Sequence, residues 1–124
     1  MLNKIEFVQN MFRDIFEAIN PTKIPNYFSN PFHLETNGEI MDYDQFVSHV
    51  GELVNTHAKV KFHFPFDDAF LSTDGKKAVT RYRIETEWKS GRHDELIVMA
   101  IYEFENGKIS KWWETVHLLK SSSV

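Results

Sequence analysis

The chain has 124 residues, a formal net charge of −4 and no cysteine. One domain of this length can bury a hydrophobic core, and the lack of cysteine excludes disulfide bonds and thiolate metal sites. The acidic balance argues against a nucleic-acid partner, because binding phosphates requires a basic face. No stretch approaches the roughly 18–20 apolar residues of a membrane span, and the first twenty residues do not resemble a signal peptide. We therefore expect a cytoplasmic protein that binds neither nucleic acid nor a membrane.

The N-terminal part of the chain is predicted to be helical. Apolar residues recur at spacings of three and four along residues 3–19, which indicates an amphipathic helix. Asn3 is the predicted N-cap, with Glu6 completing a capping-box pattern. Asn20-Pro21 ends this helix, and a short second helix is expected between residues 22 and 31.

A hairpin and a third helix follow. The stretch "FHLETNGEIMD" predicts two short strands joined at Asn37-Gly38, a dipeptide typical of two-residue turns. Residues 43–56 carry a stripe of apolar side chains that predicts a helix, and Asp42 is its expected N-cap.

The second half of the chain changes to the alternating pattern of β-strands. Four long strands are predicted over residues 59–71, 77–89, 93–105 and 108–119, each separated from the next by a glycine-containing turn. Helices followed by an antiparallel meander predict an α+β fold, in which a strongly curved sheet wraps around the N-terminal helices.

Alternation also assigns the strand side chains to two faces. The face expected to point toward the helices includes Val60, Phe62, Phe64, Phe66, Tyr82, Ile84, Thr86 and Trp88. Residues 96–104 are apolar on both faces as far as Glu103, which predicts a second covered surface and, most simply, a homodimer formed through the sheet.

The last predicted strand contains "KWWETVH", residues 111–117, and its faces depend on the turn before it. A two-residue turn at Asn106-Gly107 places one alternating set on the concave face, and a three-residue loop with a bulge reverses the assignment. Under the two-residue turn the concave set is Trp113, Thr115 and His117. The outer set is Trp112, Glu114 and Val116.

The order of these elements, with the stretches "YFSNPFHLETNG" and "YEFENGKISKWWETVH", resembles the SnoaL-like branch of the NTF2-like superfamily. This superfamily includes ketosteroid isomerases and polyketide cyclases. The resemblance covers nearly the whole chain. It implies a cone-shaped, cystatin-like α+β fold with a deep apolar pocket for a small hydrophobic molecule, commonly dimeric through the sheet.

The family's functional residues transfer only in part. The acid–base Asp of the cyclases, four residues after a Trp, corresponds to His117. The two oxyanion-hole positions of the isomerases correspond to Phe12 and Ala100, whose side chains cannot donate a hydrogen bond. The isomerase base aligns with Thr36, and Glu35 lies one residue away.

Three residues are therefore the predicted catalytic candidates. His117 would relay a proton among apolar neighbours, and the alternative is a structural histidine at the open rim of the sheet. Glu35 would act as a general base with a pKa raised by burial, and His33 lies on the same strand face as its partner. The alternative for both is exposure to solvent. His49 and His57 are expected to face water.

Aromatic side chains supply the predicted binding pocket. The predicted ligand-binding residues are Phe12, Tyr27, Tyr82, Trp88, Tyr102 and Trp113. For most of the aromatic residues the alternative is plain core packing. No histidine spacing indicates a metal site, and no cofactor is predicted. Two functions remain open: a cofactor-independent isomerase, cyclase or lyase that acts by proton transfer, or a non-catalytic dimeric ligand-binding or interaction module.

Overall fold

The computed structural model describes residues 3–123. Helix α1 spans Lys4–Met11 and continues as a π-helical segment, Phe12–Glu17; after a 3-10 turn at Pro21–Lys23 come α2, Ile24–Tyr27, and α3, Tyr43–Thr56. The strands are β1 Phe28–Thr36, β2 Glu39–Asp42, β3 His57–Phe62, β4 Asp68–Leu71, β5 Lys77–Trp88, β6 His93–Glu105 and β7 Lys108–Ser122. Within residues 3–123, no helix has the length and apolar character needed to cross a membrane.

Both predicted helix caps are confirmed. The side chain of Asn3 accepts a hydrogen bond from the backbone N–H of Glu6 at 2.9 Å. Asp42 and Gln45 form a complete capping box at the start of α3, in which each side chain accepts from the other's backbone N–H. Side chains that satisfy the first free N–H groups therefore fix where these two helices begin.

The strands form one sheet in the order β2-β1-β7-β6-β5-β3, and β4 also pairs with β5. Neighbouring strands are antiparallel except β1 and β7, which are parallel, so the sheet is mixed. Buried residues of the helices join those of the sheet in one hydrophobic cluster. The predicted α+β fold, with N-terminal helices packed in a curved sheet, is confirmed.

One predicted strand is wrong. Residues 59–71 form two strands, β3 and β4, separated by residues 63–67. Pro65 lies in this gap, and its lack of an N–H group removes a ladder hydrogen bond. Both strands pair with β5, β3 near its C-terminal end and β4 near its N-terminal end.

The hairpin of β6 and β7 decides which side chains of β7 face the helices. Its turn holds two residues as predicted, since Glu105 pairs with Lys108, and Asn106 and Gly107 have φ values of 53° and 78°. The register then shifts, because Phe104 pairs with Ile109 whereas Glu103 pairs with Lys111. The extra residue, Ser110, forms a β-bulge that reverses the two faces of β7.

The prediction for the faces of β7 is therefore wrong although its turn was correct. Trp112 lies opposite Tyr102, and Glu114 lies opposite Ala100, so both share the inner face. Trp113 lies opposite Ile101 and His117 opposite Ile97, on the outer face. Met99 and Ile101 expose 53% and 40% of their surface on that outer face, and the homodimer through the sheet stays a prediction.

Candidate functional site

A cavity of about 450 Å³ lies between the helices and the inner face of the sheet. Phe12 and Phe16 of the π-helical segment, Phe46 of α3 and Trp112 of β7 supply much of its aromatic lining. The Phe12 ring stacks on Phe62 of β3 with 4.2 Å between ring centroids. The π-helical segment thus places two aromatic rings, four residues apart, at one cavity.

Glu114 is a carboxylic acid within this apolar lining, and its pKa is raised. It projects from β7 between two other lining residues, Trp112 and Val116. Burial raises the pKa of Glu114 to about 7, because the charged form loses hydration among apolar groups. A hydrogen bond from the Thr36 hydroxyl, at 2.8 Å from Oε2, opposes this rise.

The parallel pairing of β1 with β7 positions that hydrogen bond. Thr36 lies directly beside Glu114 in the register of the two strands, and both residues line the cavity. The backbone N–H of Asn37 also donates to the carbonyl oxygen of Glu114 at 3.0 Å. One end of β1 therefore holds both the main chain and the carboxyl group of Glu114 in place.

Two tyrosine hydroxyls lie near this carboxyl group. Tyr82 lines the cavity, and Tyr102 is fully buried with its hydroxyl 2.9 Å from Thr80 Oγ1. Burial raises the pKa of Tyr82, and the charges of Tyr102 and Glu114 raise it further. Burial also raises the pKa of Tyr102, and hydrogen bonds to Thr80 and Tyr82 oppose that rise. Both phenols consequently remain protonated, and the Tyr82 phenol is a neutral hydrogen-bond donor on the cavity wall.

Trp112 contributes an unusual feature to the same region. Its side chain is 2% exposed, and its indole N–H has no hydrogen-bond partner within residues 3–123. A buried donor without a partner costs about 1–3 kcal/mol. The ring remains held by aromatic neighbours, stacking near Phe28 at 6.1 Å and packing against Tyr102 at 5.5 Å.

Of the six predicted ligand-binding residues, Phe12 and Tyr82 line the cavity. The other four lie elsewhere. Tyr27 packs on Phe7 and hydrogen-bonds to Asp14. Trp88 lies behind His57 with 4.0 Å between ring centroids.

The remaining two of the six lie beneath the cavity and outside it. Tyr102 is buried in the core next to Thr80. Trp113 lies on the outer face of the sheet because of the bulge.

The three predicted catalytic residues lie on the outer face of the sheet, His33 and Glu35 on β1 and His117 further along β7. Glu35 pairs with Trp113, and the His33 ring meets the Trp113 ring edge-on at 6.4 Å. Their strand neighbours Leu34 and Thr36 are the residues that line the cavity. His117 is exposed beside Arg81 and Met99 in a shallow depression of the outer face. None of the three candidates contacts the cavity.

The sequence prediction missed Glu114 and His57, which line the cavity; His49 also borders it and is exposed, as predicted. Glu114 was assigned to the outside only because the bulge at Ser110 was not foreseen. His57 was expected to face water, yet it is 9% exposed. The signal available in the sequence was the position of His57 directly after α3. No loop separates that helix from β3, so His57 is the first residue of an inner strand.

No group of three or more potential ligand side chains within residues 3–123 is arranged to hold a metal ion. The polar side chains that line the cavity are two carboxylates, three hydroxyl groups and two imidazoles: Glu39, Glu114, Thr36, Tyr82, Thr86, His49 and His57. Of the two carboxylates, Glu114 is the one with the raised pKa described above. These groups can exchange protons and hydrogen bonds with a ligand.

Comparison with known proteins defines the fold. Neither a protein-family model nor a curated protein sequence matches the chain. Solved structures do match. PrhC from Penicillium brasilianum superposes with a TM-score of 0.77 at 12% identity, over 92% of this chain and 80% of that one. An NTF2-like protein of unknown function from Burkholderia pseudomallei gives 0.73 at 15% identity, over 95% and 92%.

An LEH-like epoxide hydrolase from M. tuberculosis matches with a TM-score of 0.70 at 13% identity, over 91% of this chain and 81% of that one. These likenesses extend over almost the whole chain, so the protein has the NTF2-like fold. At such low identity they establish the fold alone, because one fold supports many unrelated activities.

Proposed function

We propose that this protein binds a small hydrophobic molecule in its cavity and that Glu114 transfers a proton on that molecule, without a cofactor. The observation that carries the proposal is a carboxyl group with a pKa of about 7 on the wall of an apolar cavity. A general acid–base group works best when its pKa lies near the operating pH. At neutral pH, Glu114 is present in both its charged and its neutral form.

The chemistry that suits this arrangement is proton abstraction next to a carbonyl group. The Glu114 carboxylate removes a proton from the carbon, the electron pair of the C–H bond forms an enolate, and Glu114 becomes a neutral acid. Return of the proton to a different carbon completes an isomerisation, and return to the same carbon gives exchange. The Tyr82 phenol, which stays protonated and lines the same cavity, is the donor for the developing oxyanion.

Hydrogen–deuterium exchange of 2-tetralone in D₂O, followed by proton NMR, tests this function without knowledge of the natural substrate. We expect the protein to accelerate exchange, with a rate that rises with pH and levels off above a pH of about 7 as Glu114 ionises. Glu114→Gln should lower the protein-dependent rate by about 10²-fold or more, because the amide cannot accept the proton.

Two variants serve as controls for that assay. Glu35→Gln makes the same substitution on the opposite face of the neighbouring strand, and His117→Ala removes an exposed imidazole. Both should retain the rate of the unmodified protein. Loss of exchange in His117→Ala, or full exchange in Glu114→Gln, would contradict the assignment.

A non-catalytic ligand-binding module is the second candidate, and one observation favours it. Phe12 and Ala100 face the interior at the positions that correspond to the oxyanion hole of the isomerases, and neither side chain can donate a hydrogen bond. This alternative predicts that 2-tetralone binds, as measured by quenching of tryptophan fluorescence, while its exchange rate stays at the uncatalysed value.

A further inference from the structure

His57 is a second polar residue on the wall of the same cavity. The elements that position it differ from those that hold Glu114. It is the first residue of β3, directly after α3, and it is 9% exposed. His57 lines the cavity together with Thr86 of β5 and His49 of α3. A titratable ring in this position is available to a ligand that fills the apolar space between it and Glu114.

The hydrogen bonds of Thr56 define the protonation of the His57 ring. His57 Nδ1 lies 2.8 Å from Thr56 Oγ1, and the same hydroxyl lies 3.1 Å from the carbonyl oxygen of Glu52. A hydroxyl group has one proton to donate, and the carbonyl can only accept it. Both contacts are satisfied when Thr56 donates to Glu52 and accepts from Nδ1–H. The neutral ring then carries its lone pair on Nε2.

A second set of contacts holds the ring from behind. The Trp88 indole packs on His57 at 4.0 Å between centroids, with 36° between the ring planes. Trp88 Nε1 donates to Asp94 at 3.2 Å. Asp94 is 4% exposed and also accepts from Arg92 at 3.0 Å and from Ser121 at 2.5 Å. This network positions the ring, because each member is held by the next.

We propose that Nε2 of His57 accepts a hydrogen bond from a hydroxyl group of the ligand. The ligand class that follows is a hydrophobic compound with a phenolic, enolic or alcoholic hydroxyl group at the end remote from Glu114. The inference rests on the proposed function in one respect, namely that the cavity is the binding site. The ring's one hydrogen bond within residues 3–123 is the bond to Thr56, which leaves Nε2 for the ligand.

Burial of the His57 ring favours the neutral form that this role requires. Burial lowers the pKa of His57, the charge of His49 lowers it further, and Asp94 opposes the shift. Arg92 sits on Asp94 at 3.0 Å and balances its charge. Glu39 and Glu114 line the same cavity from β2 and β7. At neutral pH the ring is consequently an acceptor.

A matched pair of probes measures the contribution of the hydroxyl group. 2-Naphthol and 2-methylnaphthalene have similar size, and only 2-naphthol can donate a hydrogen bond. Titrated at pH 7.5 against tryptophan fluorescence, 2-naphthol should bind about three- to tenfold more tightly, as one added hydrogen bond predicts. His57→Phe keeps an aromatic ring against Trp88 and should remove that preference. His117→Phe makes the same change at an exposed site and should preserve it.

The tautomer is measured separately by the ¹⁵N chemical shifts of the His57 ring in the ligand-free protein. We expect Nδ1 to show the shift of a protonated nitrogen and Nε2 that of an unprotonated one. Thr56→Val removes the acceptor for Nδ1–H and should allow the ring to exchange between tautomers. A proton found on Nε2 in the unmodified protein would overturn the inference, whatever the probes do.

The results distinguish failure of the proposed role of His57 from failure of the proposed function. Equal binding of the two probes, or a preference that survives in His57→Phe, overturns the role of His57 and leaves the proposed function standing. Absence of binding by either probe overturns both. Loss of exchange activity in Glu114→Gln with the 2-naphthol preference intact supports both, because the two residues then act on different parts of the ligand.

Discussion

The two faces of the β1–β7 pair carry nearly the same side chains and present them to different surroundings. The inner face has Trp112 and Glu114, and the outer face has Trp113 and Glu35. Trp112 is 2% exposed, whereas Trp113 is half-buried. Both carboxylates are half-buried, Glu114 against the apolar cavity and Glu35 away from it. Residue type therefore does not distinguish the two faces, and the environment created by the fold gives Glu114 its acidity.

A single residue, Ser110, determines which side chains of β7 lie on the inner face and which on the outer face. Ser110 is the extra residue in the ladder between β6 and β7, and its hydroxyl donates to the carbonyl oxygen of Glu103 at 3.2 Å. Ile109 and Ser110 are both buried, which breaks the alternation of the strand at that point. Every side chain from Lys111 to Leu118 consequently projects on the face opposite to the one that uninterrupted alternation predicts.

Deletion of Ser110 is the strongest test of this comparison. It should restore alternation and turn Glu114 and Trp112 outward while His117 turns inward. Loss of core burial and of the Thr36–Glu114 hydrogen bond should reduce the free energy of unfolding by about 4 kcal/mol or more, measured by urea denaturation.

Ser110→Ala is the matched control for that deletion, since it keeps the residue and removes one hydrogen bond. It should cost about 1 kcal/mol. A deletion variant that remained as stable as Ser110→Ala, and that still catalysed exchange through Glu114, would show that the bulge does not determine the faces.

Much of the fold was predictable because its signals are local. Asn3 and Asp42 cap their helices through contacts three residues away. Asn37-Gly38 and Asn106-Gly107 form the two-residue turns that their side chains favour. The apolar periodicity of residues 43–56 predicted α3 with both ends correct. Each of these features depends on a few neighbouring residues.

The candidate site was not predictable in the same way, because it depends on distant partners. No glycine or proline marks the bulge at Ser110, and what fixes it is the pairing with β6. The pairing of β1 with β7 brings Thr36 to Glu114 across 78 residues of chain. The raised pKa of Glu114 then follows from its burial on the inner face. Alternation alone had placed His117 on that face instead. An error of one residue thus replaced one catalytic candidate by another.

Truncation of the two adjacent tryptophans sharpens the comparison. Trp112→Ala removes a buried ring and should cost about 3 kcal/mol, at the lower end for such changes, because the unpaired indole N–H is removed as well. Trp113→Ala on the outer face should cost about 1 kcal/mol. Trp112→Phe, which keeps an aromatic ring and loses only the N–H group and some volume, should lie between them. Equal costs for the two alanine variants, measured by urea denaturation, would contradict the assignment of the faces.

The pH dependence of stability provides the finest test, and its sign follows from the acidity of Glu114. The pKa of about 7 in the folded protein exceeds the ordinary 4.5, so the folded state holds this proton more tightly than the unfolded state does. The contribution of Glu114 is therefore fully present below pH 4.5, is lost as pH rises toward 7, and is constant above that. Burial lowers the pKa of His49 and of His57, which gives the opposite slope near their ordinary value of 6.5.

Glu114→Gln isolates this contribution, because subtracting its stability curve from that of the unmodified protein cancels both histidines. The glutamine side chain at position 114 is neutral at every pH. It should match the unmodified protein within about 1 kcal/mol at pH 4.5 and exceed it at pH 8 by an amount on the order of 3 kcal/mol. Glu35→Gln leaves Glu114 in place and should keep the pH dependence that Glu114 causes. If instead the Glu114→Gln difference were flat with pH, the inner carboxyl group would be no more desolvated than one in water, and the distinction between the two faces would rest on packing alone.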